Sequence, residues 1–241
     1  MAHLDLTQPF EEESRTMTPE RPSLQPGDSA PSFRLPAVNR DGMVSLEDYR
    51  GRSAVLVGLF RGLHCPFCRR RLVQLGTTQE KLKAAGVETV AIVNTPVERA
   101  RLYFNYRPAR VLLAVDPDAA THRAFGLPAF EVVEDEAAAR WPWRATMPQF
   151  QAVLINPTGE LPSPRNGFEA NTVLNKKDGF QPTEIDEQIM AAHGTQLAGH
   201  FLIDRQGVVR WAHVEAAARI ADIGKFPGDE EILAAARALR G

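Results

Sequence analysis

The chain has 241 residues, of which 44% are hydrophobic and 24% charged, with a formal net charge of −2. That balance suits a soluble globular protein with an ample core, and it lacks the basic excess that would point to nucleic acid or an anionic membrane surface. No apolar run approaches the roughly 20 residues of a membrane span.

Residues 1 to about 24 are polar and acidic (Glu11, Glu12, Glu13, Arg15, Pro19, Glu20, Pro22) and have no periodicity. They read as a flexible tail, or an arm that orders only on a partner. No secretory signal pattern is visible there, so the cytoplasm is the expected location. Pro26-Gly27-Asp28 is a turn that opens the folded part, residues 25–241. Residues 33–38 and 43–46 are short strand candidates around Asn39-Arg40-Asp41-Gly42. Ala54 to Phe60 is apolar without alternation, which predicts a strand covered on both faces.

Both cysteines of the chain follow at once, in Phe60-Arg61-Gly62-Leu63-His64-Cys65-Pro66-Phe67-Cys68. Leu72, Leu75, Leu82 and Ala85 then form a partial helical stripe, with Gly86 as a natural C-terminal stop. The pattern predicts a second buried strand at 87–93, a helix at 96–106 with Pro96 in its first turn, a third strand at 111–115 and a short helix at 119–125. The β-α-β-α-β-α alternation implies parallel pairing with right-handed crossovers.

Residues 128–198 break that pattern and read as an inserted subdomain or lid. Within them, 134–141 suggests an acidic helical stretch, 150–155 a strand, 161–175 a Pro/Asn/Gly-rich loop, and 183–193 a helix capped by Thr183 with Asp186 in its first turn. Trp141 and Trp143 are expected to pack the insertion rather than form a substrate platform. Order returns with strands at 200–204 and 208–214 joined by Asp204-Arg205-Gln206-Gly207, a hairpin signature. A final helix at 229–240 has Asp229 as its cap and Arg240 in its last turn.

A C-x-x-C pair at the first turn of a helix has direct chemical consequences. Residues three apart share a face, with α-carbons about 5–6 Å apart, within disulfide range. Free amides and the helix dipole at that end favour a thiolate. Pro66 at the first helical position loses no hydrogen bond. Arg61, His64 and Arg69 are candidates to support the thiolate, although the run Arg69-Arg70-Arg71 points in several directions and by default forms a solvated face. Cys65, nearer the helix start, is expected to be the better-exposed sulfur. A zinc site would need two further ligands from His64, His193, His200 or carboxylates, because no second C-x-x-C exists. No cofactor or metal is called for.

Several segments carry a family resemblance. Pro26-Gly27-Asp28-x-Ala30-Pro31-x-Phe33-x-Leu35 and Val44-Ser45-Leu46-x-Asp48-Tyr49-Arg50-Gly51 resemble the opening segments of peroxiredoxins, the alkyl hydroperoxide reductase/thiol-specific antioxidant group. Phe60 to Cys68 looks like the active site of a branch carrying C-P-x-C, a unit that glutaredoxins also resemble. Phe201-Leu202-Ile203-Asp204-x-x-Gly207-x-Val209 is similar to the late hairpin of that group and of thioredoxins. The resemblance implies an α/β, thioredoxin-like fold with a central mixed sheet flanked by helices.

It also implies a thiol-dependent oxidoreductase cycling Cys65 and Cys68, with a peroxide or a disulfide as substrate. The implied electron donor is a thiol reductant such as a thioredoxin or glutathione system, and the implied assembly a homodimer. Three features depart from the family. The peroxiredoxin pattern P-x-x-x-[T/S]-x-x-C places its attacking cysteine at Cys68, with Arg61 in place of the proline and Cys65 in place of the Thr or Ser. Ala198 stands where peroxiredoxins carry an arginine and thioredoxins a cis-proline. The compact members have no counterpart of the long segment before the hairpin. The sequence leaves open a peroxidase, a protein disulfide reductase, and a redox-sensing binding protein without turnover.

Overall fold

The computed structural model describes residues 22–239. The elements are β1 (Arg34–Pro36), β2 (Met43–Ser45), β3 (Ala54–Phe60), α1 (Pro66–Ala84), β4 (Val87–Val93), α2 (Val97–Tyr106), β5 (Leu112–Val115) and α3 (Ala120–Ala124). They continue with β6 (Ala129–Val133), β7 (Arg144–Thr146), α4 (Met147–Ala152), α5 (Gly167–Lys177), α6 (Glu184–His193), β8 (Thr195–Gln196), β9 (Gly199–Ile203), β10 (Val209–Val214) and α7 (Asp229–Ala238).

The central sheet has the order β10-β9-β3-β4-β5. Strands β3, β4 and β5 run parallel, joined through α1 and α2, as the alternating pattern predicts. Strand β9 lies antiparallel to β3, with Gly58 opposite His200, and β10 returns antiparallel beside β9. The hairpin turn is closed by Asp204, whose carboxylate accepts from the amides of Gln206 and Val208 at 2.9 Å each. The continuous apolar run of β3 is explained by two cores. Val55, Val57 and Leu59 face one with Phe125, Phe201 and Ile203. Leu56 and Phe60 face the other with Leu72, Leu75, Leu82 and Ile232. Burying a leucine or phenylalanine on either side stabilises the sheet by about 1.5–3 kcal/mol.

Helix α1 starts where expected and carries the expected stripe, with Leu72, Leu75 and Leu82 buried. Its chain reverses through Gly86, whose φ of 75° is the left-handed conformation glycine adopts without penalty.

Several expectations are corrected. Residues 22–24 are not part of a free tail. The Leu24 amide donates to the Phe125 carbonyl at 3.1 Å and the Ser23 hydroxyl to the Gly126 carbonyl at 2.7 Å; residues 1–21 lie outside the described part. The strand expected at 150–155 is replaced by helix α4. Thr146 caps it and Gln149 reciprocates, a capping box that outweighs the apolar run beyond it. The acidic helix expected at 134–141 is only a 3-10 turn at Glu136–Ala138, because none of its residues is buried. The loop expected at 161–175 holds most of α5, nucleated by Asn166 accepting from the amides of Phe168 and Glu169, with Ala170 and Leu174 buried.

Smaller shifts occur at two helix starts: Pro96 caps α2 from outside it, and Gly228 rather than Asp229 caps α7. Arg240 lies outside the described residues. Thr183 and Asp186 form a capping box on α6 as expected.

Residues 128–198 also build a separate three-stranded sheet, β7-β6-β8, which the sequence pattern did not announce. Phe130, Phe150, Ile155, Leu161, Leu174 and Phe180 from this segment share one apolar cluster with Phe67, Cys65 and Cys68. Trp141 packs on Phe130 at 5.3 Å between ring centres and donates its indole N–H to the Ala216 carbonyl, a packing role as expected. No helix among the described residues is long and apolar enough to cross a membrane.

Candidate active site: a buried dithiol with an arginine–glutamate pair

Strand β3 delivers the chain to the dithiol through a tight turn. The Leu63 amide donates to Thr95 Oγ1 at 3.2 Å. Gly62 is required by close approach: a β-carbon there would stand 2.7 Å from the Asn94 carbonyl oxygen. Cys65 is then the N-cap of α1, and its Sγ accepts the Cys68 amide at 3.2 Å, with Pro66 in the first turn. Both cysteines are free, and their sulfurs are 2.6 Å apart.

Each cysteine is only 1% exposed. The expectation that Cys65 is the better-exposed sulfur is therefore corrected. The apolar side chains of the 128–198 segment share one buried cluster with the dithiol.

The chemistry distinguishes the two sulfurs where exposure does not. Arg61 Nε donates to Cys65 Sγ at 3.3 Å. Burial by itself raises the Cys65 thiol. The hydrogen bond from Cys68, then the charge and hydrogen bond of Arg61, outweigh that burial and the opposing charge of Glu215, so Cys65 is held below the ordinary thiol value. Cys68 moves the other way. Burial raises it, and the proton it shares with Cys65 and the charge on Cys65 raise it further. The two environments thus push the sulfurs in opposite directions, favouring the thiolate form at Cys65 and the thiol form at Cys68.

Arg61 is itself held from the end of β10, the edge strand of the sheet. Its Nη1 and Nη2 donate to the two oxygens of Glu215 at 2.6 and 2.8 Å, and Nη1 also reaches the Gln196 carbonyl at 2.9 Å. Glu215 is fully buried and accepts two backbone amides as well, from Ala198 at 2.9 Å and Gly224 at 2.5 Å. Ala198, the position where the resemblance leads one to seek an arginine or cis-proline, thus contributes its backbone N–H to the carboxylate that holds Arg61. Glu215 was missed by the sequence reading. The one available signal was indirect: an arginine placed against a buried helix start needs a carboxylate from somewhere, and nothing local supplies it.

The other two supporting candidates do other work. Burial, and then the charge of Arg61, push His64 down to about 4, so it is neutral and adds no positive charge beside the sulfurs. Its carbonyl accepts from Asn171 and Asn175 of α5 at 3.3 and 3.2 Å. Arg69 turns its guanidinium away from the dithiol, to the Leu63 carbonyl at 2.5 Å, Asn175 Oδ1 at 2.8 Å and Asp178 Oδ2 at 2.6 Å, over the Phe180 ring. Arg70 pairs with Glu160 and Asp178, and Arg71 with Asp229. The arginine run is therefore not a solvated face; two of its members tie α1 to the 128–198 segment. No group of three or more His, Cys, Asp or Glu side chains able to hold a metal ion occurs among the described residues.

The redoxin family model matches residues 25–144, a span from the opening turn to the start of β7 that includes the dithiol. The part of the chain that carries the dithiol, residues 25–144, is a redoxin-family region. The chain has the thioredoxin-like architecture, and it is a thiol-dependent oxidoreductase of the kind that comprises thiol peroxidases and thiol–disulfide oxidoreductases.

Solved structures share its fold at low identity. Plasmodium vivax 2-Cys peroxiredoxin in its reduced form is 16% identical with a TM-score of 0.54, over 89% of this chain and 81% of that one. Mycobacterium tuberculosis peroxidoxin BcpB is 14% identical with a TM-score of 0.52, over 90% and 99%. Plasmodium yoelii thioredoxin peroxidase I is 19% identical with a TM-score of 0.50, over 90% and 91%. No curated protein matches the sequence.

Proposed function

We propose that this protein reduces small hydroperoxides, with Cys65 as the attacking thiolate and Cys68 as the resolving thiol. The observation that carries this reading is the placement of Cys65: its sulfur is the one that receives Arg61 Nε, and it is enclosed at 1% exposure. A small O–O group needs a smaller opening to reach such a sulfur than a protein disulfide does. The attacking register is then one helical turn earlier than the family pattern, at Cys65 rather than Cys68.

The chemistry follows from the two opposite thiol environments. The Cys65 thiolate attacks one peroxide oxygen, the O–O bond breaks, and the departing alkoxide or hydroxide takes up a proton. Arg61 supplies the fixed positive charge beside the reacting atoms. Cys65 becomes a sulfenic acid. Cys68 gives up its proton as it attacks that sulfur; the proton leaves with the hydroxide as water, and the Cys65–Cys68 disulfide forms. An external thiol reductant returns the pair to the dithiol state. In this account residues 128–198 screen the sulfenic acid from solvent and from bulky thiols until Cys68 captures it.

Single Cys→Ser variants test the assignment. Treated with hydrogen peroxide and trapped with dimedone, Cys68→Ser is expected to carry the label on Cys65 and Cys65→Ser to stay unlabelled; label on Cys68 in the Cys65→Ser variant overturns it. The second reading, reduction of a protein disulfide, is favoured by the N-cap position of Cys65, which suits thiolate attack on sulfur as well as on oxygen. It predicts faster turnover with a protein disulfide than with hydrogen peroxide under the same reductant.

A further inference from the structure

We propose that Glu215 is a positioning residue for the redox reaction: it fixes Arg61 against Cys65 Sγ and, by sharing that guanidinium, limits how strongly Arg61 stabilises the thiolate. The inference rests on the reading of Cys65 as the nucleophile and extends it to a residue at the far end of the β9–β10 hairpin.

The geometry leaves Glu215 little freedom. Oε2 accepts Arg61 Nη1 and the Ala198 amide; Oε1 accepts Arg61 Nη2 and the Gly224 amide. Four donors thus converge on one carboxylate with no exposed surface. An amide cannot replace it, because whichever oxygen becomes NH2 faces two donors. The fork geometry also fixes the direction of the third nitrogen. With both Nη atoms held on Glu215, the Nε–H has one orientation left, and it points at Cys65 Sγ at 3.3 Å. The guanidinium therefore sits between the Glu215 carboxylate and the Cys65 sulfur, whose charge exists only while Cys65 is reduced and ionised.

Charge arithmetic then defines the role. A buried cation with two counter-ions divides its attraction between them, and the nearby carboxylate also repels the thiolate directly. The anchors of Glu215 come from β9's approach (Ala198) and from the loop before α7 (Gly224). The ionisation of Cys65 is therefore set by elements distant in sequence, in place of the threonine and the late arginine that the family pattern would supply.

The test is the ionisation of Cys65 in Glu215→Gln, followed by 13Cβ NMR of labelled cysteines in the reduced protein and by thiolate absorbance at 240 nm. Removing the carboxylate makes the thiolate the sole counter-ion of Arg61. The ionisation constant of Cys65 is expected to increase by at least about tenfold, with the dithiol becoming more oxidising against glutathione. A purely structural Glu215 would lower the melting temperature and leave the Cys65 titration where it was, and that result overturns the proposal; a weakened Cys65 acidity overturns the limiting role and leaves only the placement of Arg61.

Should Glu215→Gln fail to fold, Glu215→Asp keeps the charge and retracts it from Arg61. It is expected to move the titration the same way by a smaller factor, and no movement there counts equally against the proposal. The two levels of inference separate cleanly. If wild-type Cys65 has an ordinary thiol titration, the nucleophile assignment fails; if wild type is acidic and the Glu215 variants match it, only the positioning role fails.

Discussion

Arg61 and Arg70 belong to adjoining elements and both face a carboxylate with two nitrogens, yet they sit in different worlds. The Arg61–Glu215 pair is almost sealed, with side-chain exposures of 8% and 0%. The Arg70–Glu160 pair, at 18% and 33%, lies open on the outer side of α1, where Glu160 also takes Lys177 at 2.8 Å. The same chemical contact is a design constraint in the first place and a modest fastening in the second. In the sealed region a missing partner leaves a bare charge in a poor dielectric; in the open one water and salt replace it. The inner region sets the state of the sulfurs, and the outer one fastens the 128–198 segment to the dithiol helix.

The sharpest way to break that comparison is Arg61→Met. It strands the buried Glu215 carboxylate, and the expected loss is about 3–5 kcal/mol in denaturant unfolding, together with a higher Cys65 thiol pKa. A loss below about 1 kcal/mol would place Arg61 in the same class as Arg70.

Acid titration comes next. His122 and His200 are fully buried, His200 edge-on to Phe60 at 5.2 Å between ring centres. Burial pushes His122 down to about 4 and His200 well below the ordinary histidine value. The unfolded chain therefore binds more protons than the folded one below about pH 6.5, so stability is fully present above that pH and declines as pH falls toward about 4. His122 alone accounts for roughly 3 kcal/mol at the acid end. Replacing His122 by Phe should flatten part of that decline in urea melts run from pH 7 to pH 4, and an unaltered slope would contradict the buried-neutral reading.

Smaller effects belong to the outer region. Thr183→Ala removes the α6 cap and is expected to cost about 1 kcal/mol in thermal or urea melts. Glu160→Gln should cost only about 0.5 kcal/mol, diminishing further in high salt, and should leave the Cys65 titration unmoved. A Glu160→Gln variant that shifts the thiol would erase the distinction between the two regions.

The sequence was most legible where local periodicity and burial agree. The boundaries of β3 and β4 follow directly from apolar runs, and the α1 start follows from Cys65-Pro66. Legibility failed where structure is made by partners distant in the chain. Strands β6, β7 and β8 are short, and pairing rather than propensity defines them. Helix α4 was hidden because its capping signal, Thr146 with Gln149, is polar and precedes an apolar stretch that looks like a strand. At the site, the two cysteines and Arg61 were readable from one short motif. Glu215 was not, since it reaches Arg61 across 154 positions of chain. Arg69 and His64 were plausible by proximity in sequence, and the fold turned one toward Asp178 and buried the other as a neutral ring.

The central claim is that the inner region makes Cys65 the thiolate and leaves Cys68 protonated. Its most direct test is a 13Cβ NMR pH titration of the two cysteines in the reduced wild-type protein. The account predicts that Cys65 ionises below the ordinary thiol value of about 8.5 and that Cys68 stays protonated well above it. Cys68 ionising first would contradict it.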